Sequence, residues 1–116
     1  EPVTQYREQV YFHRLKSKNS GQTSVGLVNK KLKMGVALSY STIDFPYTTQ
    51  WKQLAKGDYV LGIEPASCKM LGREKAQKEG ALDYLMPQKA TDLDVRVDIL
   101  DGNQAIDQFI NDVSHL

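Results

Sequence analysis

The sequence contains a single cysteine, Cys68, among its 116 residues, so no disulfide bond can form within the chain. It also has no apolar run that approaches the roughly 18 residues of a membrane span. No signal-peptide pattern opens the sequence, which begins at Glu1-Pro2 without a methionine. We therefore expect a cytoplasmic protein, in a reducing compartment, that does not bind membranes.

Net charge is also small, because 15 Lys and Arg residues nearly balance 14 Asp and Glu residues, for a formal net charge of +1. Nucleic-acid-binding domains need clustered basic residues and a more basic balance, so we expect no nucleic-acid partner. Lys30, Lys31 and Lys33 form the one local basic cluster, and a solvated turn between two strands accounts for it. Two distant histidines and one cysteine make no zinc pattern, and we expect neither a metal nor another cofactor.

Segments rich in β-forming residues, separated by turn signals, run through most of the chain. The predicted strands cover residues 8–15, 23–29, 34–40, 59–64, 83–86 and 91–100. A helical turn is predicted at 73–78, and the stretch 41–53 is predicted to be irregular. Short strands at this spacing favour a single mainly β domain over 1–116, built as an antiparallel β-sandwich with a C-terminal α-helix.

The C-terminal part carries the clearest pattern, because four apolar residues alternate with charged ones. They are Leu93, Val95, Val97 and Ile99. The alternation predicts a strand with its apolar side chains in the core and its charged side chains in water. Asp101 or Asn103 is placed to cap a following helix, on which apolar residues recur at helical spacing. They are Ile106, Phe109, Ile110 and Val113. We expect this helix to pack its apolar stripe on the sheet.

The segment 57–66 leads an apolar strand into a carboxylate and then a proline. Period-two alternation places Gly62 and Glu64 on one face of the strand, and the glycine leaves open space beside the acid. Pro65 cannot donate to a β-ladder, so the strand ends, or lies at a sheet edge, just after Glu64. A carboxylate at the end of a strand, beside open space, is placed to act as a general base on a small ligand. The alternative is a solvated glutamate at a strand end.

This segment and its surroundings resemble the C-terminal part of galactose mutarotase-like proteins, and more closely a bacterial branch of the aldose 1-epimerase superfamily. The resemblance covers nearly the whole chain. The matching positions are Trp51-Lys52, 57–65, Gly72-Arg73, Gly80 and Leu85-Met86-Pro87, with Asn29, 36–40, Phe45-Pro46 and 91–100 in the same pattern.

The resemblance implies a fold, a reaction and a longer protein. The fold is part of the large mutarotase β-sandwich, and the reaction is the interconversion of sugar anomers. The general base of the family matches Glu64, whereas no residue here matches its histidine general acid. Family members are much longer than this chain, so we expect 1–116 to be a C-terminal portion. Pro87-Gln88 replaces a Pro-Gly pair of the family, and 66–70 replaces an Asp- and Asn-rich segment, so substrate specificity does not carry over.

Four further residues are candidate sugar contacts. Related mutarotases carry a sugar-contacting aspartate near a comparable strand, and the resemblance offers Glu8 as a candidate for that place, with a change of residue type. Trp51 offers a surface for stacking on a pyranose ring, or is a core tryptophan with its indole N–H bonded. Arg73 suits a carboxylate or phosphate on a sugar, or is a solvated loop residue. His13 is a candidate acid or sugar ligand, or a surface histidine, and its parity places it on the opposite face from Glu8.

The sequence is compatible with three functions. The first is an aldose 1-epimerase-like isomerase domain of carbohydrate metabolism, with its acid on chain outside 1–116. The second is a non-catalytic carbohydrate-binding module, and in both the partner is a small-molecule sugar. The third is an interaction domain with no sugar site. The strands at 8–15 and 91–100 each need a cover for their apolar face, so we expect self-association or packing on further N-terminal chain.

Overall fold

The computed structural model describes all of residues 1–116 and is mainly β. Its six strands are β1 Gln9–His13, β2 Gln22–Asn29, β3 Met34–Ser41, β4 Tyr47–Leu54, β5 Tyr59–Ala66 and β6 Val95–Asp101, and its two helices are α1 Arg73–Lys78 and α2 Gly102–Ser114. The predicted class, antiparallel β with a C-terminal α-helix, is confirmed. The chain divides into two compact units, Glu1–Leu15 with Phe45–Ala90 and Lys16–Asp44 with Thr91–Leu116. That they act as one domain stays a prediction.

The first unit contains a three-stranded antiparallel sheet in the order β1-β4-β5. The prediction of an irregular stretch at 41–53 was wrong, because β4 is the central strand of this sheet and pairs on both sides. Polar and apolar residues do not alternate clearly along β4, and the adjacent Thr48 and Thr49 are both buried. Pairing with a strand on each side therefore determines the conformation of β4 more than its local sequence does. Strand β5 runs through Pro65 to Ala66, which is tolerated because β5 lies at a sheet edge.

Two other predictions in this unit need correction and one is confirmed. No strand forms at 83–86, because Tyr84, Leu85 and Met86 are exposed and pair with no other strand. Strand β1 spans only Gln9–His13, the part of 8–15 that faces β4. The predicted helical turn is α1, which is supported on its surface by two i,i+4 ion pairs, Lys78–Glu74 and Lys75–Glu79.

The second unit contains a three-stranded antiparallel sheet in the order β2-β3-β6. The predicted hairpin of β2 and β3 is confirmed, with the lysine-rich segment as its turn. Within that turn the Asn29 side-chain oxygen accepts a hydrogen bond from the backbone N–H of Leu32, at 2.9 Å. Strand β6 begins only at Val95, so the first residues of the predicted 91–100 strand lie outside the sheet.

Helix α2 packs its apolar stripe on one face of this sheet, as predicted. The core consists of Ala37, Leu100 and the fully buried Ile106, with Phe109 and Ile110 packed against it. Asp101 is the N-cap residue but makes no side-chain capping hydrogen bond. Packing of the stripe, rather than capping, therefore holds the helix in place.

The apolar side of β6 faces away from this helix, so the prediction that it lies in the core was wrong. Val97 and Ile99 are 60% and 68% exposed, whereas Leu100 on the other face is buried. The reason is register: Leu100 pairs opposite Gly35 and comes two residues before α2, so the chain folds the helix onto the Leu100 face. The alternation in the sequence correctly separates the two faces but does not say which of them the helix covers.

Candidate functional site

One face of the β1-β4-β5 sheet carries the candidate site. Trp51 on β4 pairs with Val10 on one side and Gly62 on the other. Two residues away, Thr49 pairs with Glu64, so the carboxylate and the indole project from the same face. Neighbouring strands lie roughly 5 Å apart, which places these side chains within the span of a single sugar ring.

Five side chains from this region line a cavity of 290 Å³: Glu8, Val10, Trp51, Glu64 and Met70. The indole Nε1 of Trp51 donates a hydrogen bond to Oε2 of Glu8, at 2.8 Å. Glu8 is exposed, whereas Trp51 and Glu64 are half-buried. The cavity thus combines an aromatic ring with its N–H already bonded, an apolar wall and two carboxylates.

Gly62 is required for the position of the Glu64 carboxylate. The two residues share a face of β5, and a Cβ added to Gly62 would collide with Oε1 of Glu64. The carboxylate therefore lies back along its own strand, over the glycine, where a side chain of any other residue would stand. The same Cβ would lie 3.4 Å from Cβ of Trp51, an ordinary van der Waals contact, so the Glu64 carboxylate is the group that a side chain at position 62 would displace.

Two buried side-chain oxygens on this face have no hydrogen-bond partner. They are Oγ1 of Thr49 and Oε1 of Gln53, which stand two residues before and two residues after Trp51 on β4. Thr49 is only 1% exposed. Buried polar atoms without partners are uncommon in folded proteins, and neither Thr49 nor Gln53 is among the residues that line the cavity.

The structure separates the other two sequence candidates from this cavity. His13 projects from the opposite face of the sheet, where its Nε2 lies 3.2 Å from Oε1 of Gln50. Arg73 is exposed at the start of α1 and lines a different cavity, of 370 Å³, with Cys68 and Asp83 among its neighbours. Glu8, Trp51 and Glu64 come together, and His13 and Arg73 do not join them.

Sequence reasoning missed Met70 and Val10 as lining residues. The parity of β1 was enough to find Val10, because it shares a face with Glu8. Met70 lies in a segment without regular structure, and no periodic signal places it. No three His, Cys, Asp or Glu side chains come together as metal ligands would. No helix has the length and apolar character to cross a bilayer.

Comparison with protein families assigns the chain to a family. The family model described as a domain of unknown function, DUF4432, matches residues 1–99. The chain belongs to the DUF4432 family. No curated protein matches it.

A solved structure shares the fold of this DUF4432 chain. It is a protein from Klebsiella pneumoniae described as a candidate aldose 1-epimerase, with a TM-score of 0.89 and 22% sequence identity. The match covers 98% of the DUF4432 chain but only 30% of the Klebsiella protein, so the chain spans under a third of that protein's length. The aldose 1-epimerase-like fold is therefore confirmed over nearly all of the chain.

Proposed function

We propose that this chain is a carbohydrate-binding, aldose 1-epimerase-like domain and corresponds to the C-terminal portion of a longer protein. The observation that carries the proposal is the cavity in which Trp51 and Glu64 stand side by side. An indole suits the apolar face of a pyranose ring, and a carboxylate accepts hydrogen bonds from its hydroxyls. The fold it shares with the Klebsiella protein supports the same assignment.

We propose further that Glu64 is the general base in the full-length protein. Anomer interconversion requires a base to take the proton from the anomeric hydroxyl and an acid to protonate the ring oxygen. The ring then opens to the aldehyde and closes again on either face. Glu64 suits the first task because its carboxylate is half-buried, lies beside the indole and forms no ion pair.

The general acid belongs to chain outside 1–116 in this proposal. His13, the nearest sequence candidate, projects from the opposite face of the sheet. The same observation favours a second candidate function, a carbohydrate-binding module that has the cavity but no acid. An interaction domain without a sugar site is the third, and it predicts no sugar binding at this cavity.

The single tryptophan makes the site directly observable, because all indole fluorescence comes from Trp51. We expect titration with D-glucose or D-galactose to change this emission. Glu64→Gln should weaken binding about tenfold, since a neutral amide oxygen is a weaker acceptor than a charged carboxylate. Glu74→Gln is the matched control, because Glu74 is an exposed carboxylate on α1 that pairs with Lys78.

If no sugar changes the emission, and none shifts the NMR signals of the residues that line the cavity, the carbohydrate-binding proposal is wrong. Sugar binding with equal affinity in wild type and Glu64→Gln would retain the module and reject a hydrogen bond between the sugar and the Glu64 carboxylate.

We also propose a cytoplasmic location. It is supported by the one free, exposed cysteine, Cys68, which suits a reducing compartment. Fractionation of cells that produce the full-length protein tests it, and recovery outside the cytoplasm would contradict it.

A further inference from the structure

We propose, on the basis of the sugar site proposed above, that the cavity beside Trp51 selects its ligand by charge. It favours sugars that carry an ammonium group over their neutral counterparts, and it excludes sugars that carry a phosphate or a carboxylate. Glu8 is the residue that adds this preference to the site. The ligand class is thus an amino sugar with a free amine.

The charges that line the cavity are all of one sign. Glu8 and Glu64 contribute carboxylates, and the remaining lining residues, Val10, Trp51 and Met70, are uncharged. An acidic group on a ligand would meet two like charges there, whereas an ammonium group would meet two opposite charges.

No Lys, Arg or His side chain lines the cavity. Nζ of Lys52 lies over the ring of Tyr11, 5.9 Å from its centroid, and Tyr11 is on the opposite face of the sheet. Nζ of Lys69 lies 5.5 Å from the centroid of Tyr47. Arg73 lines the other cavity, to which Met70 also contributes.

Hydrogen-bonding capacity on this face points the same way. The indole N–H, which is the donor of Trp51, is already bonded to Glu8. Among the side chains that line the cavity, the carboxylates of Glu8 and Glu64 can only accept hydrogen bonds when ionised. An ammonium group brings three donors and no acceptor, whereas a phosphate or carboxylate brings acceptors alone. A face rich in acceptors therefore suits the donor-rich ligand.

Binding of matched sugars to the full chain tests this inference. Isothermal titration or NMR would compare D-glucosamine, D-glucose and D-glucose 6-phosphate at neutral pH and low salt. We expect glucosamine to bind about fivefold more tightly than glucose, the scale of one partly exposed ion pair, and the phosphate ester to bind most weakly. The advantage of glucosamine should shrink as salt is raised.

Glu8→Gln is the informative variant, because a glutamine oxygen can still accept the Trp51 hydrogen bond. We expect the ratio of glucosamine to glucose affinity to fall toward one. Asp107→Asn, which removes an equal charge from an exposed residue of the other unit, is the control and should leave that ratio unchanged. If Glu8→Gln weakens the binding of both sugars equally, the ratio does not change, so the ratio reports only the preference for the ammonium group.

Equal affinity for glucose and glucosamine, or tighter binding of the phosphate ester, would overturn the charge preference and leave the sugar site intact. The absence of binding by all three sugars would reject both the site and its preference.

Discussion

At the scale of single residues, the pairing of Gly62 with Glu64 is the most specific feature of the site. A methyl group at position 62 would occupy the place of the Glu64 carboxylate. We expect Gly62→Ala to weaken sugar binding about as much as Glu64→Gln does, roughly tenfold, because the carboxylate must turn away. The fold should tolerate the change, since the displaced atom is the end of a flexible side chain.

A double-mutant cycle isolates this effect. In a Glu64→Ala background, Gly62→Ala should have no further effect on sugar affinity, because the group it displaces is gone. Titration of the four proteins, with melting curves to check folding, is the measurement. An equal loss in both backgrounds would mean that the methyl group itself blocks the ligand.

The isolated chain should not accelerate mutarotation. An acid–base pair that lacks one partner loses on the order of 100-fold or more in rate, and no histidine lies on the Glu64 face of the sheet. Polarimetry of freshly dissolved α-D-glucose should give the background rate, and His13→Ala should not change sugar affinity. Rapid interconversion that both Glu64→Gln and His13→Ala abolish, with His115→Ala as control, would assign the acid to His13 after all.

For several site residues, the alternation of side chains along a strand was enough to predict the face of the sheet on which they lie. Strand alternation puts Glu8 and His13 on opposite faces and Gly62 with Glu64 on one face, and the structure has both arrangements. The link between Trp51 and Glu8 spans 43 residues, and it depends on the pairing of β1 with β4. Residue 51 lies in the stretch that the sequence predicted to be irregular, so the contact between Trp51 and Glu8 could not be predicted from a local pattern.

At the scale of elements, helix α2 depends on one side chain above the others. Ile106 is fully buried against Ala37 and Leu100. We expect Ile106→Ala to lower the free energy of unfolding by about 2–5 kcal/mol, through lost burial and the cavity left behind. Denaturation followed by circular dichroism measures it. Asn111→Ala, at an exposed position of the same helix, should change stability by less than about 0.5 kcal/mol. Similar losses in the two variants would mean that α2 does not pack as described.

Elements with strong local signals were predictable, and those set by distant pairing were not. The hairpin of β2 and β3 has a turn sequence between two β-forming runs, and α2 has an apolar stripe at helical spacing. Strand β4 owes its conformation to neighbours on both sides. At 83–86 the β-forming residues are present, but no strand lies beside them to pair with.

At the scale of the whole molecule, part of the β2-β3-β6 sheet leaves apolar side chains exposed on the side opposite α2. The exposed residues are Leu27, Val97 and Ile99, beside the half-buried Val36, whereas Tyr40 on the same side is buried. We propose that copies of the isolated chain associate through this face, because burying apolar area stabilises by about 25 cal/mol per Å². Light scattering over a range of concentrations should show species larger than a monomer.

Ile99→Thr should shift the chain toward monomer, since threonine retains β propensity and removes apolar surface. Leu32→Thr is the control, because Leu32 is equally exposed, at 68%, but lies in the β2–β3 turn. A monodisperse wild-type monomer at high concentration would reject the association.

The proline within β5 limits how such copies can join. Pro65 has no amide hydrogen, and β5 is the edge of its sheet, where proline is one of the devices that discourage pairing with an incoming strand. We therefore expect addition of strand to strand, the growth step of a fibril, to be disfavoured at the end of β5 close to Glu64. A residue that borders the proposed sugar site thus also protects the protein against polymerisation along β5.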